Sequence, residues 1–72
     1  MSAQRARAFG RRFRRARIEA GLKPRDIEAK TGVSRALLRQ IEAGQDNLTL
    51  DTLAALARAI GVPVSVLVAP LE

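Results

Sequence analysis

Residues 31–44 read TGVSRALLRQIEAG, and their pattern predicts a short turn that leads into a helix. Gly32 is a candidate turn residue with positive φ, and Ser34 is a good N-cap for a new helix. The connection to the preceding helix is therefore only about three residues long, and helices joined so tightly must cross at a steep angle. We predict a helix over residues 34–43 that ends before Gly44.

The helix before this turn is predicted over residues 24–31. Pro24 suits its first turn, where the missing N–H is not needed. Ile27 and the stem of Lys30 are predicted to face the core. A first helix is predicted over residues 2–20, because apolar residues recur there at helical spacing and form one stripe. The stripe comprises Ala6, Phe9, Phe13, Ala16 and Ala20.

Downstream of the turn, residues 48–62 read LTLDTLAALARAIGV and predict a fourth helix over residues 49–60. Thr49 is its N-cap, and Asp51 places a negative charge in the first turn, where that charge suits the helix dipole. Its apolar face is predicted to comprise Leu50, Leu53, Ala57 and Ile60, with Ala54 and Leu56 alongside.

The remaining segments complete a small helical domain. Residues 45–48 are predicted to form a polar loop, and residues 63–68 a short fifth helix that begins at a proline. Its inward residues are predicted to be Val64, Leu67 and Val68. We therefore predict a single all-α domain of five helices over residues 1–72.

The charge is divided unevenly along the chain. Thirteen basic and seven acidic residues give a net charge of +6. Residues 1–40 hold twelve of the basic residues and three of the acidic ones, whereas residues 41–72 hold one basic and four acidic residues. A basic surface on one side is the electrostatic footprint of nucleic-acid binding. A solubilising surface is the alternative, but such surfaces usually mix their signs.

Groups suited to catalysis are scarce. The chain has no histidine, cysteine or tyrosine, so acid–base catalysis would depend on carboxylates. Asp26 and Glu28 are two positions apart on a helix and do not face each other. The sequence contains neither a glycine-rich phosphate loop nor a calcium-loop pattern. We expect no enzyme activity, no cofactor and no metal site.

The sequence also bears on localisation. Residues 1–17 are rich in arginine and lack the apolar run of a signal peptide. No segment approaches the roughly 20 apolar residues that cross a bilayer. An amphipathic membrane helix is disfavoured because the core needs Phe9 and Phe13. We expect a cytoplasmic protein without a membrane partner, associated with the nucleoid when it binds DNA.

Residues 21–64 resemble the Cro/repressor-type helix-turn-helix family, often called the Xre family. The matching positions are Arg17, Gly21, Leu22, Ile27, residues 30–34 (KTGVS), Ile41, Glu42, Gly44, Leu50, Thr52, Leu53, Ala57 and residues 60–62 (IGV). The resemblance implies a transcription regulator that binds double-stranded DNA. It also implies that the helix after the turn lies in the major groove.

Carried over by position, the resemblance implies a set of base-reading side chains. These are Arg35, Ala36, Arg39 and Gln40. Arginine can donate twice to guanine O6 and N7, glutamine can pair with adenine N6 and N7, and an alanine methyl can contact thymine. The alternative is that Arg35 and Arg39 are merely solvated.

The resemblance further implies an ion pair between Arg17 and Glu42 that ties the first helix to the recognition helix. Some positions depart from the family pattern. Pro24 stands where a phosphate-clamping glutamine is usual, and Glu28 where alanine is usual. Leu37 and Ala43 replace residues that are usually polar. Other residues are expected to contact the DNA backbone instead, namely Arg11, Arg14, Arg15, Lys23, Arg25 and Ser34.

Residues 62–71 carry no charge. Five helices cannot bury all the apolar side chains of this segment, and an apolar patch left exposed usually marks an interface. We therefore expect a homodimer with recognition helices about 34 Å apart. The expected interface residues are Val64, Val66, Leu67 and Leu71. The alternative is that this tail only caps the monomer core.

Two other functions compete with DNA binding. The same fold could serve as a protein-interaction module, for example an antitoxin or a regulator that binds RNA polymerase or a second regulatory protein. RNA binding is less well supported, because the only aromatic residues are Phe9 and Phe13. Both are predicted to be buried, which leaves no stacking platform for unpaired bases.

Overall fold

The computed structural model describes residues 2–45 and 48–70, and across them the chain forms five α-helices and no strand. The all-α prediction is confirmed. The helices are α1 (Ala3–Glu19), α2 (Pro24–Thr31), α3 (Arg35–Glu42), α4 (Leu50–Ile60) and α5 (Val64–Leu67).

Hydroxyl side chains set the beginnings of three helices. The backbone N–H groups of Arg5, Leu37 and Thr52 donate to the hydroxyls of Ser2, Ser34 and Thr49 at 3.2, 3.1 and 3.2 Å. Each hydroxyl satisfies one backbone donor that has no partner within its helix. The predicted N-caps Ser34 and Thr49 are confirmed, and Ser2, which we had placed inside the first helix, caps α1 in the same way.

The core lies where the helices meet. Its most deeply buried large side chains are Phe9, Phe13, Ile27, Leu38, Ile41, Leu56 and Leu67. The rings of Phe9 and Phe13 lie nearly parallel, with centroids 6.1 Å apart. Removing one such ring typically costs about 3–5 kcal/mol, a large share of the stability of a domain this small. All five helices contribute to this core, and α1 and α3 each supply two of its seven most deeply buried large side chains.

Helices α1 and α3 approach closely at Gly10, which is buried. A methyl group at this position would collide with the carbonyl oxygen of Ile41 and lie 2.9 Å from that of Glu42. The last turn of α3 thus rests directly on the backbone of α1. This contact joins the recognition helix to the rest of the domain.

Three predicted core positions in α1, α2 and α4 are wrong. Leu50 is 76% exposed, because it is the first residue of α4 and the buried residues of that helix begin at Leu53. Ala20 is exposed because it follows the last turn of α1 as its C-cap. Lys30 is also exposed, since Ile27 alone supplies the buried face of α2.

The segments that flank α4 and α5 also differ from expectation. Leu48, which we placed in a polar loop, is half-buried and packs against the core. Val68 was predicted to point inward but is 41% exposed. It is the C-cap of α5 and has left the helical conformation, with φ −110°. Its side chain therefore turns away from the core that Leu67 enters.

The contact at Gly10 predicts whether the substitution Gly10→Ala stabilises or destabilises the protein. Helix propensity alone would make Gly10→Ala stabilising by about 0.5–1 kcal/mol. Because the new methyl group would meet two carbonyl oxygens, we expect the variant to lose about 2 kcal/mol of unfolding free energy instead. Urea denaturation followed by circular dichroism measures this loss. A variant at least as stable as the wild type would show that α1 and α3 are farther apart.

Candidate nucleic-acid interface

A short, hydrogen-bonded turn leads into α3. Gly32 has φ +78°, and its N–H donates to the carbonyl oxygen of Glu28 at 2.8 Å. The Thr31 hydroxyl donates to the Ile27 carbonyl oxygen at 2.7 Å and accepts from the Val33 N–H at 3.0 Å. These two hydrogen bonds of the Thr31 hydroxyl were not predicted from the sequence. The backbone is thereby held on both sides of the turn, so the direction in which α3 leaves it is fixed.

Helix α3 has two distinct faces. Leu38 and Ile41 are each 1% exposed and anchor it in the core. The four predicted base-reading residues Arg35, Ala36, Arg39 and Gln40 are all exposed. At helical spacing these four share the side away from the core. The structure therefore brings them together on one solvent-facing surface, with Glu28 of α2 beside Arg35.

The other end of α3 is held by Arg17 and Glu42. Arg17 Nε and Nη2 donate to the two carboxylate oxygens of Glu42 at 2.8 and 3.0 Å. Arg17 Nη1 also donates to the Leu22 carbonyl oxygen at 2.9 Å. Only 7% of Arg17 is exposed. Removing one partner would leave an unpaired charge in a poorly hydrated place, which is costly. The pair joins α1, the segment before α2, and α3.

A groove of about 330 Å³ runs between the start of α2 and α3. It is lined by Lys23, Pro24, Arg25, Arg35, Leu38, Arg39 and Glu42. The predicted backbone-binding residues Lys23 and Arg25 thus lie beside two of the base-reading candidates. Pro24 has no side-chain donor, but cations stand on either side of it in the sequence. Basic side chains that attract phosphate therefore flank the position where the family usually has a glutamine.

The arginines of α1 lie along a second groove of about 550 Å³. Its lining comprises Arg11, Arg12, Arg14, Arg15, Ile18, Glu19 and Glu42. Arg14 Nε lies 3.7 Å from Glu42 Oε1, so this groove meets the end of α3. Ser34, the remaining predicted backbone contact, lies at the other end of that helix. Its oxygen accepts from Leu37 N–H, which leaves its own O–H free to donate.

Two further polar contacts were also not predicted from the sequence. Arg35 Nε lies 3.1 Å from Glu28 Oε1, which links α3 to α2 across the turn. Arg12 Nη1 donates to the Ala69 carbonyl oxygen at 2.7 Å and holds the C-terminal segment against α1. Glu28 was noticeable as a departure from the family pattern. Nothing in the sequence indicates the partner of Arg12, which lies 57 residues away.

The predicted dimer surface is only partly available. Leu67 is 1% exposed and belongs to the core, so its side chain is not available to an interface as predicted. Val64 is half-buried, and Val66 is 55% exposed. Val68, which we had not assigned to this surface, is exposed beside it. Leu71 lies outside the described residues.

The part of the chain that the structure describes contains neither a candidate metal site nor a candidate membrane-spanning helix. Within residues 2–45 and 48–70, no three or more aspartate or glutamate side chains group in a way that could hold a metal ion. None of the helices described there has the length and apolar character that a bilayer-crossing segment requires.

Residues 8–71 match the family described as Helix-turn-helix domain. The chain belongs to this family. The helix-turn-helix protein is 41% identical over 63 residues, 88% of its length, to "Uncharacterized HTH-type transcriptional regulator y4dJ" from Sinorhizobium fredii (strain NBRC 101917 / NGR234), and these residues cover 82% of that relative. The predicted resemblance to Cro/repressor-type proteins is confirmed.

A solved structure shares the fold of this helix-turn-helix protein. The restriction-modification controller protein C.AhdI from Aeromonas hydrophila superposes with a TM-score of 0.80 and 29% sequence identity. The match covers 86% of this chain and 94% of that one. Family and fold together place the protein among DNA-binding transcription regulators, a class without enzyme activity.

The ion pair between α1 and α3 predicts that substitutions of its two residues have non-additive effects on the free energy of unfolding. Glu42→Ala leaves Arg17 buried without its carboxylate, so we expect a loss of about 3 kcal/mol of unfolding free energy. Arg17→Met combined with Glu42→Leu removes both charges and should recover at least half of that loss. Glu19→Ala, at an exposed position on α1, is the control and should change little. A double variant that loses as much unfolding free energy as Glu42→Ala, or more, would argue against a coupled pair.

Proposed function

We propose that this protein binds double-stranded DNA sequence-specifically as a homodimer and regulates transcription, with α3 in the major groove. The observation that carries the proposal is the exposed face of α3, on which Arg35, Ala36, Arg39 and Gln40 stand together. An α-helix with its side chains is about 10–12 Å across, and a major groove about 12 Å wide admits it.

Chemistry supports base reading by this face. Arg35 and Arg39 have the paired donors that guanine O6 and N7 accept, and Gln40 has the donor and acceptor that adenine presents. Arg35 and Ala36 lie in the first turn of α3, the end that reaches base edges in helix-turn-helix complexes. Because the tight turn and the Arg17–Glu42 pair hold both ends of α3, these side chains start from a rigid support.

The cations around α3 support contacts to phosphate. Lys23 and Arg25 lie along the groove beside the recognition helix, and Arg11, Arg14 and Arg15 lie along α1. Ser34 has a free O–H at the start of α3. Such contacts fix the register of a protein on duplex DNA without reading its sequence. We assign these six residues to the DNA backbone, and we place the protein in the cytoplasm, associated with the nucleoid when bound.

Dimerisation is supported by the apolar surface around α5. Val66 and Val68 are both large, exposed and apolar. The half-buried Val64 adjoins them, and we retain Leu71 as a proposed member. None of the arginines assigned to DNA belongs to this segment, so two copies can meet here while both recognition helices stay accessible. Two-fold symmetry then implies a near-palindromic site.

Base reading is tested by two substitutions on α3. Arg35→Ala and Gln40→Ala should each cost about 1–3 kcal/mol on the preferred duplex and little on a shuffled duplex. Titrations at one fixed salt concentration measure both affinities. Arg58→Ala on α4 is the control and should leave the ratio of the two affinities unchanged. Equal losses on both duplexes would contradict base reading, and no binding to any duplex would favour a protein-interaction module.

The dimer surface is tested by charge. Val66→Asp combined with Val68→Asp places two carboxylates on the proposed interface, and desolvating them should prevent association. We expect a folded monomer by light scattering and circular dichroism, with weaker binding to the preferred duplex. Leu50→Asp is the control, because that side chain is 76% exposed and lies on another helix. A double variant that stays dimeric would place the interface elsewhere.

A further inference from the structure

Glu28 is the acid that sits directly beside a base-reading candidate. It lies on α2, one helix before the recognition helix, and its Oε1 is 3.1 Å from Arg35 Nε. The Glu28 side chain is 40% exposed and that of Arg35 is 62% exposed. The neighbouring acids have other partners, since Glu42 binds Arg17 and Asp26 accepts from the Lys23 N–H. Glu28 therefore acts on the proposed DNA surface through Arg35.

The pair is poorly suited to a structural role. Ion pairs between exposed side chains contribute little to folding stability. The turn between the two helices is already held by the Thr31 hydroxyl, the Gly32 N–H and the Ser34 cap. The consequence of the pair is instead the placement of Arg35, whose guanidinium is a rigid, planar group.

The Glu28 carboxylate lies at the Nε edge of that guanidinium. Nη1 and Nη2 therefore remain for other partners. Two donors of one arginine are what guanine O6 and N7 accept in the major groove. A side chain already held in one orientation loses less freedom when it binds. A carboxylate at the same place repels phosphate, so it also disfavours complexes in which Arg35 turns toward the backbone.

We propose that Glu28 is a positioning residue that determines specificity, because it holds Arg35 for base reading and disfavours its use as a phosphate contact. This inference rests on the proposed function of α3. It predicts that Glu28 lowers the affinity for unrelated DNA more than it changes the affinity for the preferred site.

The test compares a duplex selected by the wild-type protein from a randomised pool with a shuffled duplex of the same composition. Both affinities are measured at one salt concentration. Glu28→Ala should bind the shuffled duplex several-fold more tightly without gaining on the selected one, so the specificity ratio should fall about tenfold. Glu19→Ala removes the same charge from α1 and should change both affinities by the same factor. An unchanged ratio in Glu28→Ala would overturn the proposal.

Two further variants separate positioning from simple charge. In an Arg35→Ala background, Glu28→Ala should leave the specificity ratio unchanged within about twofold, because its target is gone. A tenfold fall in that background would show that Glu28 acts directly on the DNA and would overturn the positioning role. Glu28→Gln keeps an oxygen that can accept from Nε. The logarithm of its specificity ratio should therefore stay above half of the wild-type value. A glutamine variant as unselective as the alanine variant would also overturn it.

The same measurements separate this proposal from the function on which it rests. If Arg35→Ala lowers the ratio and Glu28→Ala does not, only the role of Glu28 fails. If Arg35→Ala keeps the wild-type ratio, base reading by Arg35 fails and the role of Glu28 fails with it. Circular dichroism of each variant confirms that the affinities belong to folded protein.

Discussion

The bidentate pair of Arg17 and Glu42 is the contact on which the placement of the recognition helix depends. It connects the end of α1 to the end of α3, and the third bond from Arg17 reaches the carbonyl of Leu22. Gly10 lets the two helices approach until backbone meets backbone. A charge this deeply buried is tolerated only while its partner stays in place, so the pair allows one relative orientation of these elements. The orientation of α3 follows from that constraint.

Function on this scaffold depends on side chains that take little part in stability. The exposed face of α3 and the surrounding cations contribute few core contacts, so they are free to vary with the DNA site. The role that we propose for Glu28 would let one exposed residue act on such a surface without altering the fold. The apolar segment at α5 adds a separate surface, held to α1 by Arg12. The proposed DNA contacts and the proposed dimer contacts therefore occupy different elements of one small domain.

Much of this could be predicted from local patterns. Ser34 and Thr49 mark where two helices begin, and single glycines mark where helices end. These signals can be read from the sequence because caps and positive-φ turns depend on few neighbouring residues. The two faces of α3 follow from helical spacing. The ion pair of Arg17 with Glu42 was predicted only through the family resemblance. Other contacts between distant residues, such as the approach of Gly10 to α3, could not be predicted. The segment 62–68 is apolar except for Ser65, so periodicity could not decide that Leu67 enters the core while Val68 does not. Glu28 was visible as unusual, but its partner depends on how α2 and α3 cross.

The most direct test of the central claim is methylation protection on a duplex selected by the wild-type protein. Dimethyl sulfate modifies guanine N7 in the major groove and adenine N3 in the minor groove, so it distinguishes the two grooves. A dimer with α3 in the major groove should protect guanine N7 in two half-sites about 34 Å apart, one turn of DNA. Protection of adenine N3 alone, or of a single unrepeated site, would contradict the account.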